Sequence, residues 1–168
     1  MGGSADGQMD DPQRNPPVHP SGQPRVPGRL LGVDWGARRI GLALSDEAGI
    51  LAQPLATLTR RTGKRFPMAQ LLTHIAAHDV QGVVVGLPLD EHGAEGDAAR
   101  AARALAEDIH RRSDRPVWLW DERFTTARAR SAVREMGGRT AGRAADVDAL
   151  AATVLLQHYL DARRGSAT

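Results

Sequence analysis

The run Val83-Val84-Val85, near the middle of the chain, constrains the fold more than any other feature of the sequence. Residues 80–86 predict a strand that is too apolar to have one face in water. Such a strand needs a packed layer on each side, and in parallel sheets helices supply these layers. The run therefore predicts an α/β fold with this strand buried inside the sheet.

Three strand-like segments come before this run. Residues 30–34 are a short apolar run that ends in an acid, and residues 39–45 alternate large with small side chains. Residues 50–58 contain Pro54, which places them at the edge of a sheet. Because only short turns separate the three segments, we predict an antiparallel meander.

Helix-like and strand-like segments alternate in the rest of the chain. Helical spacing predicts helices at 68–76 and from about 146, and composition predicts two more at 94–112 and 125–136. Residues 116–120 are a fifth strand. The order β-β-β-α-β-α-β-α-α predicts an α/β fold with a five-stranded mixed sheet, a meander followed by βαβ units, flanked by helices. Such sheets bind ligands beyond the carboxyl ends of their parallel strands.

Composition places the domain boundaries. Residues 1–28 are rich in Gly, Pro, Ser, Asp and Gln and nearly lack large apolar residues, so we expect a disordered tail. Residues 29–163 form the single folded domain, and residues 164–168 form a short flexible tail. No apolar run is long enough to cross a membrane and no secretory signal is present, so we expect a cytoplasmic protein without membrane contact.

Several kinds of chemistry are excluded or disfavoured by the sequence. The chain has no cysteine, which excludes disulfides, thiolate metal sites and cysteine nucleophiles. It contains no P-loop and no nucleophile elbow. His74 and His78 have no third ligand after them, so they indicate a solvated helix face. Asp34-Trp35-Gly36 resembles the phosphate loop of actin-like ATPases, but the chain is too short for the two domains of such an enzyme.

The basic residues are almost all arginine, because Lys64 is the single lysine among 22 basic residues. The formal net charge of +2 is too small to imply nucleic acid by itself. Arginine forms bidentate contacts with phosphate, which suits a phosphodiester substrate. A GC-rich coding sequence gives the same composition, so both explanations stay open.

Three acids occupy positions that suit catalysis. Asp34 ends the first strand, Glu122 follows the fifth, and Asp148 lies in the first turn of the last helix. Phosphodiester hydrolysis by Mg²⁺ or Mn²⁺ needs carboxylates of this kind. Each acid also has a structural alternative: a turn cap for Asp34, an ion pair with Arg123 or Arg128 for Glu122, and a helix N-terminus for Asp148. Spacing alone does not establish that the three converge.

Four blocks of the sequence, taken in order, resemble the YqgF family. The blocks are residues 33–46 (VDWGARRIGLALSD), 84–89 (VVGLPL), 120–127 (WDERFTTA) and 147–157 (VDALAATVLLQ). The resemblance covers about residues 29–162, and the four blocks together are specific where one alone would not be. The family is ribonuclease H-like, and its members are described as Holliday junction resolvases and as pre-16S ribosomal RNA nucleases.

The resemblance implies that Asp34, Glu122 and Asp148 are the catalytic acids and bind Mg²⁺ or Mn²⁺. Asp146 competes for the third place, and Asp148 is preferred because it directly precedes an Ala-Leu-Ala-Ala run, as in the family pattern. We expect RNA hydrolysis in 5′-end maturation of 16S ribosomal RNA, with ribosomal precursor particles as partners, by a monomer or homodimer. The alternatives are a DNA endonuclease that cuts branched junctions and a non-catalytic RNA-binding assembly factor.

Six further residues are expected to hold the nucleic acid. They are Arg38, Arg39, Arg123, Thr125, Arg139 and Arg143. The first three contact substrate phosphates, and the loop with Arg139 and Arg143 follows the backbone. Thr125 binds a phosphate or caps the next helix, and these two roles stay open. The lysines usual near the last helix of the family appear here as Arg143 or as alanine.

Overall fold

The computed structural model describes residues 27–36, 38–61, 63–124 and 144–165. The strands are β1 (Leu30–Trp35), β2 (Arg39–Ser45), β3 (Ala52–Thr59), β4 (Gly82–Leu87) and β5 (Val117–Asp121). The helices of this part are α1 (Met68–Ala77), α2 (Asp97–Ser113) and α3 (Ala144–Gly165), and a 3-10 turn, Glu122–Phe124, follows β5. The predicted fold class, a five-stranded mixed sheet flanked by helices, is confirmed.

The strand order across the sheet is β3-β2-β1-β4-β5. β1 pairs antiparallel with β2, and β2 antiparallel with β3, which is the predicted meander. β4 pairs parallel with β1 and β5 parallel with β4, as βαβ units require. β1 is therefore the central strand, and its carboxyl end lies between β2 and β4 at the end of the sheet where the parallel strands end.

Alternating side chains divide the core into two layers. Val83 and Val85 face the layer of α1 and α2, whereas Val84 faces α3. All three valines are fully buried, so the prediction of a strand with no wet face is confirmed. On the α3 side, Trp118 of the sheet packs against Tyr159 of the helix, with ring centroids 6.1 Å apart.

The third strand begins at Ala52 and not at residue 50 as predicted. Ile50 and Leu51 are 46% and 61% exposed and belong to the preceding turn. Asp46 closes this turn, because its Oδ1 accepts hydrogen bonds from the backbone N–H groups of Ile50 at 2.7 Å and Leu51 at 3.2 Å. These bonds to the charged carboxylate lower the pKa of Asp46, chiefly through the Ile50 N–H.

The last helix begins earlier than predicted. It begins at Ala144 and not near residue 146, so Asp148 is its fifth residue and does not lie in the first turn. The helix also continues to Gly165, beyond the predicted boundary at 163, and an ion pair between Asp161 and Arg164 supports this last turn.

Some predictions concern residues outside the described part of the chain. They are the tail up to residue 26, the helix at 125–136, the loop at 139–143 and residues 166–168. Within the described ranges, no helix is long and apolar enough to cross a membrane.

Gln157 of α3 joins the helix to the edge of the sheet. Its side-chain oxygen accepts a hydrogen bond from the Ala52 N–H, and its amide nitrogen donates to the Ile50 carbonyl, both at 2.9 Å. We expect Gln157→Leu to lower the free energy of unfolding by about 1–3 kcal/mol, because it strands a partly buried N–H. Urea denaturation measures this loss. The control is Gln70→Leu, on the exposed face of α1; equal stability of the two variants would contradict the prediction.

Candidate active site

Asp34 occupies the carboxyl end of the central strand. Leu31 and Val33 of the same strand point into the layer of α1 and α2, so the half-buried Asp34 points to the opposite face, toward α3. Its partner across the antiparallel pair is Gly41 on β2. On the other side, Val33 pairs with Val85 of β4, so the residue beside Asp34 in that direction is Gly86. Asp34 therefore lies between two glycines.

The first of these glycines lies under Asp148. A Cβ atom built on Gly41 would be 1.9 Å from the backbone oxygen of Asp148 and 2.4 Å from its carbonyl carbon. The α3 backbone thus rests on β2 at this point, which no larger residue permits. Because side chains directly opposite in an antiparallel pair share a face, Asp34 and Asp148 are neighbours on that face.

The second glycine lies under Glu122. A Cβ atom on Gly86 would be 2.6 Å from Glu122 Oε1 and 2.7 Å from Leu155 Cδ1 of α3. The Glu122 side chain therefore folds back from the end of β5 over β4, on the α3 side of the sheet. The structure thus brings the three predicted acids, from segments far apart in sequence, to one region with Asp34 in the middle.

The three carboxylates do not form a closed metal site. Within the residues that the structure describes, no group of three His, Cys, Asp or Glu side chains is close enough to hold an ion. Asp148 Oδ2 lies 2.9 Å from Nε of Arg39, but the N–H is not aligned with it, so this buried oxygen has an ion pair and no hydrogen bond. Burial raises the pKa of Asp148, and the charge of Arg39 opposes that shift.

Asp121 fixes the turn that carries Glu122, and the sequence analysis did not identify it. Its side chain is 1% exposed and accepts hydrogen bonds from the Arg123 backbone N–H at 2.9 Å and from its guanidinium at 2.6 to 3.1 Å. The hydrogen bonds that the Arg123 guanidinium donates to Asp121 raise the pKa of Arg123. The pair closes the turn around Glu122 and so sets the direction of that side chain. The sequence signal for Asp121 was an acid at the end of an apolar strand, followed two residues later by an arginine.

The predicted phosphate-binding arginines differ in their surroundings. Arg38 is exposed and forms no ion pair with any described residue, whereas Arg39 pairs with Asp148 and Arg123 with Asp121. Arg123 is therefore paired with Asp121, and Arg128, the other partner considered for Glu122, lies outside the described part of the chain, so the structural alternative for Glu122 stays open. Residues Thr125, Arg139 and Arg143 lie outside the described part of the chain, as does the Asp146 side chain. The choice of Asp148 over Asp146 therefore stays a prediction.

A mixed sheet with an antiparallel meander, parallel crossovers and acids at the carboxyl end of its central strand defines the ribonuclease H-like class. The structure of Thermus thermophilus RuvC has the same fold, with a TM-score of 0.50 and 17% sequence identity over 82% of this chain and 97% of that chain.

The family model described as "RuvX: Holliday junction resolvase" matches residues 28–162. A relative from Koribacter versatilis is 43% identical over 83% of this chain and 90% of its own length. Another, from an Anaeromyxobacter species, is 44% identical over 80% of this chain and 98% of its own. Both carry the name "Putative pre-16S rRNA nuclease". The chain therefore belongs to the RuvX family, also called YqgF, and the predicted family and nuclease class are confirmed.

Proposed function

We propose that this chain is a metal-dependent nuclease that hydrolyses phosphodiester bonds in the 5′-end maturation of pre-16S ribosomal RNA. The observation that carries the proposal is the position of Glu122 and Asp148 on the two sides of Asp34, each lying over a glycine. Three acids in one region of the fold repel one another, and a bound cation would reduce this repulsion. The catalytic roles of all three rest on this geometry and on the family resemblance.

The donor set fits a hard divalent cation. Mg²⁺ and Mn²⁺ prefer carboxylate oxygens, and the lack of a Cβ atom at Gly41 and Gly86 lets the Asp148 backbone and the Glu122 carboxylate lie close to the sheet on either side of Asp34. The buried Oδ2 of Asp148 also has no hydrogen bond from a described residue. When bound, the ion supplies an activated water and stabilises the leaving oxygen.

The residues of the chain have separate tasks in this proposal. Asp34, Glu122 and Asp148 would hold the ion. Arg39, which pairs with Asp148 in the structure, lies beside these acids and would bind a substrate phosphate. Arg38, which has no acid partner in the described part, contacts phosphate directly.

The proposal also names RNA, and not DNA, as the substrate. The relatives' names favour RNA, with ribosomal precursor particles as partners, while the description of the family model favours four-way DNA junctions as the second candidate. Two symmetric cuts in a junction need two active sites, so the second candidate requires a homodimer.

A direct comparison of two substrates tests the proposal. We expect the purified protein with Mg²⁺ or Mn²⁺ to cut an end-labelled pre-16S RNA fragment and to leave a synthetic four-way DNA junction intact. Mass measurement in solution accompanies the assay. Junction cleavage by a dimer, with intact RNA, would establish the second candidate. Tight RNA binding with no cleavage under either metal would instead support the assembly-factor alternative.

A further inference from the structure

The connection between β3 and α1, residues 60–67, carries concentrated positive charge. Between Glu47 and Asp79 the chain has no acid, and its four basic residues in that interval all lie in this connection. They are Arg60, Arg61, Lys64 and Arg65. We call residues 60–67 the β3–α1 loop. The proposed active site uses none of them.

These charges are not neutralised within the described residues. On α2, by contrast, each of the four arginines forms an ion pair with a nearby acid. In the β3–α1 loop no side chain is paired with an acid of the described ranges, and Arg61, Lys64 and Arg65 are exposed. A solvated surface of ordinary composition mixes both signs, as α2 does, so the loop is an exception.

The loop is also held in a defined shape. The guanidinium of Arg60 lies over the ring of Trp35, 5.4 Å from its centroid, and its Nε donates to the Lys64 carbonyl at 3.2 Å. Phe66 also packs against Trp35, in an edge-on arrangement with ring centroids 6.1 Å apart. Arg60 thus folds the loop back on itself, and the remaining three charged groups point away from the core. Pre-organisation of this kind lowers the entropic cost of binding a ligand.

The loop leaves the sheet at the same end as the acids, where β1 and β3 end and β2 begins. Thr59, the last residue of β3, pairs with Arg39, which itself contacts Asp148. Trp35, on which Arg60 stacks, directly follows Asp34. The Arg60 N–H also donates to the Arg38 carbonyl at 2.8 Å, so the loop begins beside the exposed Arg38. Positive charge therefore lies at the same end of the sheet as the acids, next to them but on the α1 and α2 side, where Trp35 and Phe66 are packed.

From these observations we infer that the β3–α1 loop binds the phosphodiester backbone of nucleotides that flank the bond to be cut. Arg61, Lys64 and Arg65 make the contacts, and Arg60 with Trp35 holds them in place. The inference rests on the proposed function for the class of ligand, a nucleic acid, but it concerns binding and not cleavage. Arginine and lysine at a backbone site position the substrate without reading its sequence.

Salt dependence of binding provides the test. The triple variant Arg61→Gln/Lys64→Gln/Arg65→Gln is compared with wild type in anisotropy titrations of labelled pre-16S RNA, without divalent metal, between about 50 and 200 mM salt. Each lost phosphate contact lowers the slope of log Kd against log salt by about 0.7 for a single strand. For the triple variant we expect the slope to fall by about 2 and Kd to rise by roughly 10- to 100-fold.

A second triple variant, Arg100→Gln/Arg111→Gln/Arg112→Gln, is the matched control. It removes the same charge from exposed positions of α2, and its slope should equal that of wild type. Equal slopes for the loop variant and wild type would overturn the inference, as would an equal loss in the control. Binding through the loop without any cleavage would leave the inference standing and refute the proposed function, whereas cleavage with an unchanged slope would do the reverse.

Discussion

Replacing Asp34 with asparagine is expected to lower kcat for RNA cleavage by about 10³-fold or more while the protein stays folded. A metal ion contributes several kcal/mol of transition-state stabilisation, and each 1.36 kcal/mol is a factor of ten in rate. Asparagine keeps the shape of the side chain but removes the charge that lies between Glu122 and Asp148. The loss should therefore appear in kcat with little change in the circular dichroism of the folded protein.

The same substitution has a consequence that does not depend on substrate. An ion that binds only the folded state raises the melting temperature, so Mn²⁺ should stabilise the wild type. Asp34→Asn should lose this response. The control is Asp79→Asn. Asp79 is an exposed acid before the start of β4, at the opposite end of the sheet, and its variant should keep the Mn²⁺ response. A Mn²⁺-dependent shift of equal size in all three proteins would refute Asp34 as a ligand, whatever the cleavage assay shows.

The layers of the fold could be predicted from local patterns. The three valines of β4 are buried on both faces, and Pro54 lies in an edge strand, as their residue types require. Positions at two strand ends and a helix start made Asp34, Glu122 and Asp148 candidates, and the family resemblance grouped them as one site. Boundaries were less predictable, because the turn closed by Asp46 removes Ile50 from β3 through hydrogen bonds that no hydropathy pattern records.

The arrangement of the acids could not be predicted, because it depends on contacts between distant segments. Asp148 lies on the same face of the sheet as Asp34 because α3 rests on Gly41, more than a hundred residues earlier in the chain. The pairing of Arg39 with Asp148 is equally remote in sequence. Gly86 belongs to one of the family-like blocks, but the reason for a glycine there, the carboxylate of Glu122, is visible only in three dimensions.

Gly41→Ala is expected to destabilise the protein by about 3 kcal/mol or more, near the upper end of the cost of overpacking. The new methyl group would meet backbone atoms of Asp148, and α3 must move away from β2 to admit it. Moving α3 also opens the layer in which Trp118 and Tyr159 are packed. Both stability and cleavage should therefore fall, as measured by urea denaturation and by kcat.

Gly86→Ala provides the informative contrast, because its methyl group would meet the ends of side chains and not backbone. Glu122 and Leu155 can rotate away, so we expect a smaller loss of stability than for Gly41→Ala. The displaced side chain is Glu122, however, so kcat should fall far more than the stability does. Gly165→Ala, at the exposed end of α3 where an added methyl group meets nothing within 4 Å, should change neither quantity appreciably. Full activity in Gly86→Ala would show that the position of Glu122 over β4 does not matter for cleavage, and Glu122 would then lose its place in the proposed site.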